Sequence, residues 1–412
     1  MIKKILFLAP YSVPVNNPEA ICNAKLLKIL SEAGYEIDVI SKNNNHVYIP
    51  NTNDNIFIEN VFYIKQFILK NKINIKTIID HIKVFIKTGY VYKGAHWALY
   101  AINHSETLIK DKKYDLIMSR SPSAELAALY LSKKYKIKWI ANWNDPYPDI
   151  CYPPPYGHGP KAKLGGLQKK LLQKVSQQAN IHTFPSKRLR DYMFQYMSIK
   201  DINSTFIIPH ACIDNLFNYK EKEKSSILRI IHSGNITYPR SPISLFKGLN
   251  LFKEQAPNAN IEITFIGKQD ENFTNLIKNY NLDDNINIIT PKDYITNLEI
   301  MSKFDLALLI EANMEEGIFL PTKLGDYMQC RLPIWTISPK TGEANDLYKD
   351  RSILYFSDVS SHESIADSLK IIYSDYLTKK SHFQRRNIIE EYQQDYILNL
   401  YKKIFNIIEN NQ

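Results

Sequence analysis

The sequence predicts an α/β protein made of two Rossmann-like halves. Short apolar runs alternate with helical patterns along the chain, and in α/β proteins such runs are buried parallel strands. The chain of 412 residues is also too long for one ordinary core. We therefore expect a first domain at 1–212, a second at 213–383 and a closing helix at 384–412.

Composition narrows the class of protein. The net charge is +10, and no apolar run approaches the roughly 18 residues that indicate a membrane-spanning helix. Lys3 and Lys4 followed by apolar residues resemble the start of a signal peptide. The apolar run is too short and stops at Pro10, so we expect a first strand there instead. The four cysteines form no CxxC pair, which argues against zinc or disulfides and is typical of a cytoplasmic protein. The positive charge attracts polyanions without choosing among nucleic acid, nucleotides and anionic lipid.

The first half opens with a strand–loop–helix–strand pattern. A strand at 5–9 and a turn-rich loop at 10–18 lead into a helical pattern that ends at Gly34, and 35–40 is the next strand. No G-x-G-x-x-G follows the first strand, so we expect no nicotinamide or flavin cofactor.

Residues 61–113 are basic and amphipathic. Ten lysines stand against Asp80, Glu106 and Asp111, with aromatic and aliphatic residues between them. Basic amphipathic helices can lie in an anionic membrane interface. The alternative is a helix that packs on the core and carries solvated lysines on its outer face.

Two further strands are predicted at 115–119 and 138–142, with a helix at 124–134 between them. Asp145 follows the second strand, at the edge where parallel sheets bind ligands. The alternative role for Asp145 is to stabilise the turn at Pro146.

The second half begins with a strand that ends at Gly234 and Asn235. A glycine there lets a ligand approach the backbone closely, and Arg240 can bind a diphosphate through two parallel hydrogen bonds. A helix at 245–255 and a strand at 261–267 follow. Lys268, at the end of that strand, is a weaker candidate for phosphate binding.

Residues 304–347 carry the clearest functional pattern. A strand at 304–310 and a polar loop at 311–317 precede a helix that follows Pro321. The free N–H groups of a helix start attract anions, and Lys323 adds a positive charge. Asp326 suits the hydroxyl groups of a ribose instead. Phosphate and ribose together predict a nucleotide.

The same residues carry a family resemblance. Pro321-x-Lys323-Leu324-x-Asp326-Tyr327, followed by Pro333 and Ser338-Pro339-x-x-Gly342-Glu343, resembles the donor-binding segment of GT-B glycosyltransferases, in particular the bacterial family 4 branch. Gly234 to Pro242 resembles the G-[NT]-x-Y-x-x-R-x-P pattern of this family, whose Arg binds the donor diphosphate. The segment around Asp145 is similar to its R-D-P-W element on the acceptor side.

The sequence departs from the family pattern at two places. Arg331 stands where the family usually has Gly. The family also has two glutamates separated by seven residues; Asp326 matches the second, but Ile318 stands at the first. The alternatives for the missing first acid are Glu316, Glu315 and Glu311.

The resemblance implies a GT-B fold, with two Rossmann-like domains facing a central cleft and a terminal helix crossing back to the first. It implies a retaining, metal-independent, hexosyltransferase-like enzyme that needs no cofactor and moves a sugar from a nucleoside-diphosphate donor to a glycan or lipid-linked acceptor in bacterial surface polysaccharide synthesis. The catalytic residues it implies are Asp145, Glu316, Arg240 and Lys323. The donor-binding residues it implies are Gly234, Asn235, Arg240, Lys268, Glu315, Pro321, Thr322, Lys323, Leu324, Asp326 and Tyr327. The acceptor-side residues it implies are Pro14, Asn17, Asp145, Tyr147 and His158.

Two other functions fit the same patterns. One is a GT-B-fold epimerase that acts on the nucleotide sugar itself, which would need its own acids and bases. The other is a non-catalytic nucleotide-sugar-binding or membrane-surface protein. Nucleic acid is not an expected partner, because the lysines and aromatics form no known recognition module. We expect a cytoplasmic protein, with the inner face of the plasma membrane as its alternative location.

Overall fold

The computed structural model describes residues 1–12, 17–43, 61–65, 75–90, 94–159, 163–199, 201–218, 225–350, 352–380, 383 and 387–410. The described residues form two compact units. Unit 1 spans Met1–Tyr152, Gly157–Ala211 and Gln394–Gln412, and unit 2 spans Pro153–Tyr156 and Cys212–Gln393. The last helix therefore belongs to the first unit.

Unit 1 is built on a seven-stranded parallel sheet in the order β3-β2-β1-β4-β5-β6-β7. Its strands are β1 Lys4–Leu8, β2 Glu36–Asn43, β3 Val61–Lys65, β4 Leu116–Arg120, β5 Lys138–Asn142, β6 Ile181–Phe184 and β7 Thr205–Ile207. Its helices are α1 Pro18–Glu32, α2 Ile75–Thr88, α3 Ala95–Asp111, α4 Pro122–Tyr135, α5 Gly166–Gln178, α6 Lys187–Met193 and α13 Gln394–Asn410. The strand order reverses between β1 and β4, which makes that position the switch point of the sheet.

Unit 2 is built on a six-stranded parallel sheet in the order β10-β9-β8-β11-β12-β13. Its strands are β8 Leu228–Ser233, β9 Ile261–Ile266, β10 Ile286–Ile289, β11 Leu306–Ile310, β12 Ile334–Ser338 and β13 Tyr355–Asp358. Its helices are α7 Ile243–Gln255, α8 Glu271–Asn279, α9 Tyr294–Met301, α10 Thr322–Gln329, α11 Glu343–Lys349 and α12 His362–Leu377. Its switch point lies between β8 and β11.

The central strands are buried along their whole length, as their apolar sequences predict. All five residues of β4, of β11 and of β12 are buried. One buried polar pair links neighbouring strands: Trp139 Nε1 of β5 donates to Ser119 Oγ of β4 at 2.7 Å. The predicted α/β class with two Rossmann-like halves is confirmed.

The structure differs from the predicted elements in two informative places. Val61–Lys65 is a strand paired with β2, although we expected only basic helices there. The terminal helix begins at Gln394, ten residues later than predicted. Its buried residues are Ile397, Tyr401, Ile404, Phe405 and Ile408.

Helix α2 exposes its large apolar side chains, whereas an ordinary surface helix buries them. Its two buried residues are Asp80 and Val84, and Asp80 bonds to His96 of α3 at 2.7 Å. Its large apolar side chains are 43–76% exposed, and they are Ile75, Ile78, Ile79, Ile82, Phe85 and Ile86. The outer face of α2 is therefore apolar rather than a row of solvated lysines. We call these six residues the α2 stripe. No helix in the described ranges is long and apolar enough to cross a membrane.

Candidate active site

The switch point of unit 2 brings together the residues that its motifs singled out. Gly234 and Arg240 lie in the loop after β8, and Glu311 follows β11 directly. Lys323 and Asp326 lie on α10, which follows the next loop. Ligands of open parallel sheets bind at the carboxyl ends of the strands beside such a switch point. This geometry makes these residues one candidate site.

Lys323 is held by a histidine that the sequence analysis did not single out. The Nζ atom of Lys323 lies 3.1 Å from Nε2 of His232, a fully buried residue of β8. The other ring nitrogen, Nδ1, lies 2.9 Å from the carbonyl oxygen of Leu308, so it carries the proton and donates to it. Nε2 is therefore the acceptor for the Lys323 ammonium. Burial, Lys323 and Arg240 hold the pKa of His232 well below its ordinary value, so the ring stays neutral.

Gly234 is required by both its conformation and its neighbour. Its φ is +103°, in the region that favours glycine, and an added Cβ would lie 2.9 Å from Cε of Lys323. Any larger residue would therefore displace the lysine. Asn235 has a structural role, because its Oδ1 accepts a bond from the backbone N–H of Lys268 at 2.8 Å. The side chain of Lys268 is exposed.

The charges in this site are strongly coupled. Burial and the neighbouring Arg240 together lower the pKa of Lys323 to about 7, while Glu311 and Asp326 oppose this shift. Burial raises the pKa of Glu311 to about 7, although Arg240 and Lys323 oppose this shift. Within the described part of the chain, the buried Nε of Arg240 has no hydrogen-bond partner. Two adjacent cationic side chains, one with an unused donor, suit a polyanionic ligand.

Of the three acids left open for the family's first glutamate, Glu311 is the one coupled to this site. Its carboxyl interacts electrostatically with Arg240, Lys323 and Glu343. Glu315 is exposed and Glu316 is partly buried. The structure therefore points to Glu311 as the acid beside the cations.

The loop after β11 is fixed by two glycines in contact. Gly317 pairs with Gly342, and Gly317 N donates to the Thr341 carbonyl at 2.9 Å. Glu343 N donates to the Gly317 carbonyl at 2.8 Å. An added Cβ on Gly342 would lie 2.6 Å from that carbonyl oxygen, so a side chain does not fit. Gly342 of the motif thus holds the loop that carries Glu311.

Asp326 has a buried partner that the sequence did not reveal. The hydroxyl of Tyr294, on α9, donates to Asp326 Oδ1 at 2.5 Å. Burial and the neighbouring Asp326 carboxylate raise the pKa of Tyr294 well above its ordinary value, so it remains a donor. Tyr294 therefore orients the carboxylate for which the sequence predicts a ribose contact.

Other motif residues are structural. Leu324 and Tyr327 are fully buried. The Tyr327 hydroxyl accepts from Ser233 N at 3.1 Å and donates to the Leu308 carbonyl at 2.9 Å, which ties α10 to β8 and β11. Pro321 precedes the helix with φ −63°, and Thr322 is its first residue. Arg331 has φ +56°, so it adopts the left-handed conformation that the family's glycine adopts at lower cost.

Unit 1 has a cavity of about 390 Å³ at its own switch point. Its walls come from the ends of β1, β2, β4 and β5 and from the helices that follow. The residues lining it are Pro10, Tyr11, Glu19, Lys42, Gly94, Trp97, Ser121, Ser123, Glu125, Asn142, Trp143, Asn144, Asp145, Pro146, Tyr147, Asp149 and Tyr152. We call it the β1/β4 pocket.

The predicted acceptor-side residues that the structure describes do not all lie at one place. Asp145 and Tyr147 line the β1/β4 pocket. Asn17 caps α1 by accepting from Ala20 N at 3.0 Å, and the side chain of His158 is exposed. Pro14 lies outside the described residues. Two of the five candidates therefore meet at one cavity.

The pocket also contains two glutamates that sequence reasoning missed. Burial raises the pKa of Glu19 to about 7, with Arg120 opposing and Asp145 adding to the shift. Burial and Glu19 raise the pKa of the fully buried Glu125 well above its ordinary value. Desolvation raises the pKa of Asp145 to about 6, although a bond from Tyr152 opposes the shift and part of the side chain stays exposed. Both glutamates stand in first turns of helices, where acids are common for helix-dipole reasons alone.

These two parallel-sheet units, with the last helix packed in the first, have the GT-B architecture. No protein-family model and no curated protein sequence matches the chain. Among solved structures, sucrose-phosphate synthase from Thermosynechococcus elongatus matches with a TM-score of 0.68 and 12% identity, covering 100% of both chains. HepE from Anabaena, in complex with UDP and glucose, matches with a TM-score of 0.65 and 11% identity, covering 98% of this chain and 99% of its own.

A Listeria monocytogenes protein assigned as a UDP-N-acetylglucosamine 2-epimerase also matches. Its TM-score is 0.62 at 11% identity, and the match covers 100% of this chain and 98% of that one. Identities this low establish the fold alone. The GT-B fold expected from the motifs is therefore confirmed, and it accommodates both transferases and epimerases.

Proposed function

We propose that this protein is a glycosyltransferase that takes a sugar from a nucleoside diphosphate bound in unit 2. The observation that carries the proposal is the pair of cations at the β8/β11 switch point, Arg240 and Lys323, of which Lys323 is held by His232. A diphosphate leaving group gains negative charge as the sugar departs, and fixed cations stabilise that charge. Asp326, oriented by Tyr294, suits the ribose hydroxyls of the same nucleotide.

Glu311 would face the donor's sugar in this scheme. It follows β11 beside the two cations, and its near-neutral pKa allows it to accept or donate a hydrogen bond at physiological pH. The family resemblance supports retention of the anomeric configuration without a metal or a cofactor. Analysis of the product anomer by NMR, with and without a chelator, tests both points.

The acceptor would bind in the β1/β4 pocket of unit 1, where Asp145 and Tyr147 meet. A glycan or a lipid-linked glycan is the acceptor that the resemblance supports, within bacterial surface polysaccharide synthesis. Asp145 can accept a hydrogen bond from an incoming hydroxyl group because its pKa of about 6 leaves it mostly ionised at neutral pH.

The location we propose is the anionic inner face of the plasma membrane. The α2 stripe exposes six large apolar side chains, and Lys76 and Lys83 of the same helix are exposed beside it. Exposed apolar patches of this kind mark interaction sites, and flanking lysines favour an anionic lipid surface.

A nucleotide-sugar epimerase is the second candidate function. It is favoured by the Listeria structure with the same fold, and by Glu311 and Lys323, whose pKa values near 7 suit proton transfer. An epimerase would convert a nucleotide sugar without an acceptor, whereas a transferase would release nucleoside diphosphate only when an acceptor is present.

The first experiment is a thermal-stability screen with a panel of nucleotide sugars and free nucleosides. Ligands that bind the folded state raise its melting temperature. We expect at least one nucleotide sugar and its nucleoside diphosphate to stabilise the protein, and the free nucleoside to do so far less. If no nucleotide shifts the melting temperature at millimolar concentration, a donor site in unit 2 is ruled out.

A further inference from the structure

The β1/β4 pocket has walls made of buried polar side chains from separate elements. Trp97 of α3 and Glu125 of α4 are each 2% exposed, and Asn142 of β5 is 7% exposed. Ser121, at the end of β4, completes this set. Polar groups at this depth are nearly always hydrogen-bonded in folded proteins.

Several of these groups keep an unused hydrogen-bonding atom. Across the described ranges, Trp97 Nε1, Ser121 Oγ, Glu125 Oε2 and Asn142 Oδ1 are buried without a hydrogen-bond partner. The amide of Asn142 is oriented, because its Nδ2 donates to Thr183 Oγ1 at 2.9 Å. Its Oδ1 is therefore a fixed acceptor. The indole is only a donor, and the Ser121 hydroxyl can do either. Leaving such atoms unpaired costs free energy, which a ligand that pairs with them would recover.

The charge of the pocket restricts what that ligand can be. Among the described residues that line it, Glu19, Glu125, Asp145 and Asp149 are acidic and Lys42 is basic. A second cation, Arg120, is buried behind the wall and donates to Asn144 at 3.3 Å. An anionic ligand would be repelled by the ionised carboxylate of Asp145 and would oppose the ionisation of Glu19.

We propose that the β1/β4 pocket binds a neutral saccharide group and excludes sugars that carry a carboxylate or a phosphate. Sugar hydroxyls both donate and accept, so they match a wall that offers an indole N–H, an amide oxygen, a hydroxyl and carboxyl groups together. The volume of about 390 Å³ lies at the small end of the usual range for small-molecule sites. It suits the terminal part of a glycan rather than an extended chain.

This inference deepens the proposed function and rests on it for calling the bound sugar an acceptor. It narrows the acceptor class, because the phosphate of a lipid-linked glycan would have to lie outside the pocket. Uronic acids at the acceptor terminus are excluded.

The test compares matched pairs of sugars by saturation-transfer NMR on the full-length protein. Each neutral methyl glycoside (gluco, galacto and manno) is paired with its uronate, and the 6-phosphates form a third set. We expect at least one neutral glycoside to bind, and its uronate and phosphate to bind at least about tenfold more weakly, a difference of about 1.4 kcal/mol.

Two variants assign the signal to the pocket. Asp145→Asn keeps the shape of the side chain and removes a charge that is mostly present at neutral pH, so it should narrow the difference in affinity between neutral sugar and uronate. Lys323→Ala, in the other unit, should leave the sugar signals unchanged. If Asp145→Asn does not fold, Glu19→Gln at a half-buried position of the same pocket should change the affinities in the same direction.

Three results would overturn the inference. They are a uronate or phosphate that binds as well as its neutral partner, the absence of binding by any neutral glycoside at tens of millimolar, and a sugar signal that Lys323→Ala removes. If no nucleotide raises the melting temperature in the thermal screen, the proposed function is overturned instead. That result would leave the sugar selectivity of this pocket unaffected. The two failures are therefore distinguishable.

Discussion

The two units share one topology and carry different ionisable side chains at the same position. At the β8/β11 switch point of unit 2, the site contains Arg240 and Lys323. At the β1/β4 switch point of unit 1, the pocket contains Glu19, Glu125 and Asp145. The fold determines where a ligand binds, and the side chains determine the sign of charge that it can carry.

The difference begins in the first turn of the helices that follow the strands. A helix start attracts anions by its own dipole. In unit 1 the first turns of α1 and α4 contain Glu19 and Glu125, which oppose that attraction. In unit 2 the first turn of α10 contains no acid, and Lys323 adds to the attraction. The selectivity that we propose for the two units follows from this difference in side chains on the same backbone geometry.

The largest effect should follow from removing the cations of unit 2. Arg240→Ala or Lys323→Ala should slow transfer by about a hundredfold or more, because each would remove a fixed charge from the leaving diphosphate. Binding of the nucleoside diphosphate should weaken by about tenfold or more, while the free nucleoside binds nearly unchanged. Calorimetry with both ligands measures this. An equal loss for nucleoside and diphosphate would mean that the cations do not contact phosphate.

The matching change in unit 1 is Asp145→Asn. It should slow transfer greatly and leave nucleotide affinity unchanged, because Asp145 lines the β1/β4 pocket and not the donor site. Asp149→Asn is the control, because it makes the same chemical change at another carboxyl group that lines the same pocket. Steady-state kinetics together with nucleotide titration measure both quantities. If Asp145→Asn also loses nucleotide affinity, the donor has been assigned to the wrong unit.

Membrane contact would distinguish unit 1 from unit 2 in a second way. Replacing Ile78, Ile82 and Ile86 with Ser should reduce the fraction that sediments with anionic vesicles several-fold, because it removes apolar area from the α2 stripe. Ile371→Ser is the control, since Ile371 is an equally exposed apolar residue of unit 2. High salt should release the protein only in part, because screening weakens the lysine contacts and not the apolar ones. If the triple variant and the control bind the vesicles equally, the α2 stripe does not contact the membrane.

The pKa of Lys323 gives unit 2 a pH dependence. In the protein without ligand, Lys323 loses its proton as the pH rises through its pKa of about 7. A bound diphosphate favours the charged form of Lys323. Diphosphate affinity should therefore be highest near or below pH 7 and fall severalfold between pH 7 and 9, with proton uptake on binding. Ionisation of Glu311 in the same range acts in the same direction. Calorimetry in buffers of different ionisation enthalpy measures the uptake.

Lys323→Arg should flatten this profile, because arginine stays charged throughout that range. Glu311→Gln, which removes the other titrating group, should leave most of the slope. A steep profile that survives in Lys323→Arg would assign the titration to Glu311 or to the ligand.

The residues that sequence reasoning found are those identified by a local pattern. Gly234, Arg240, Pro321 and Lys323 each stand at a fixed offset from a strand end or a helix start, so a motif reveals them. Strands such as β11 were predictable for the same reason, because a buried parallel strand is a continuous apolar run.

The residues that it missed depend on strand pairing and burial. Trp97 resembles an ordinary core residue in the sequence, and Glu19 and Glu125 resemble first-turn helix charges. Only the neighbourhood of β1 and β4, separated by more than a hundred residues of chain, brings the two glutamates to one pocket. The outward apolar face of α2 was left open for a related reason: the hydrophobic period predicts an amphipathic helix but does not say which face turns inward.

Substitutions of His232 test how unit 2 positions Lys323, and we expect their effect to be the smallest. Its Nδ1 donates to Leu308 and its Nε2 accepts from Lys323, and two substitutions separate these bonds. In His232→Asn, the amide nitrogen lies near the position of Nδ1 and can keep the Leu308 bond, while the bond to Lys323 is lost. In His232→Gln, the amide oxygen reaches the position of Nε2 and can keep the Lys323 bond.

If His232 acts through Lys323, the Asn variant should bind nucleoside diphosphate up to about tenfold more weakly, with the free nucleoside unaffected, since one hydrogen bond to a charged group is lost. The Gln variant should keep most of the diphosphate preference even if it is the less stable of the two. Calorimetry gives the preference, and thermal unfolding gives the stability. The opposite ranking, with diphosphate preference kept by Asn and lost by Gln, would show that His232 supports only the strand pairing of β8 with β11 and that Lys323 is positioned by the backbone at Gly234 instead.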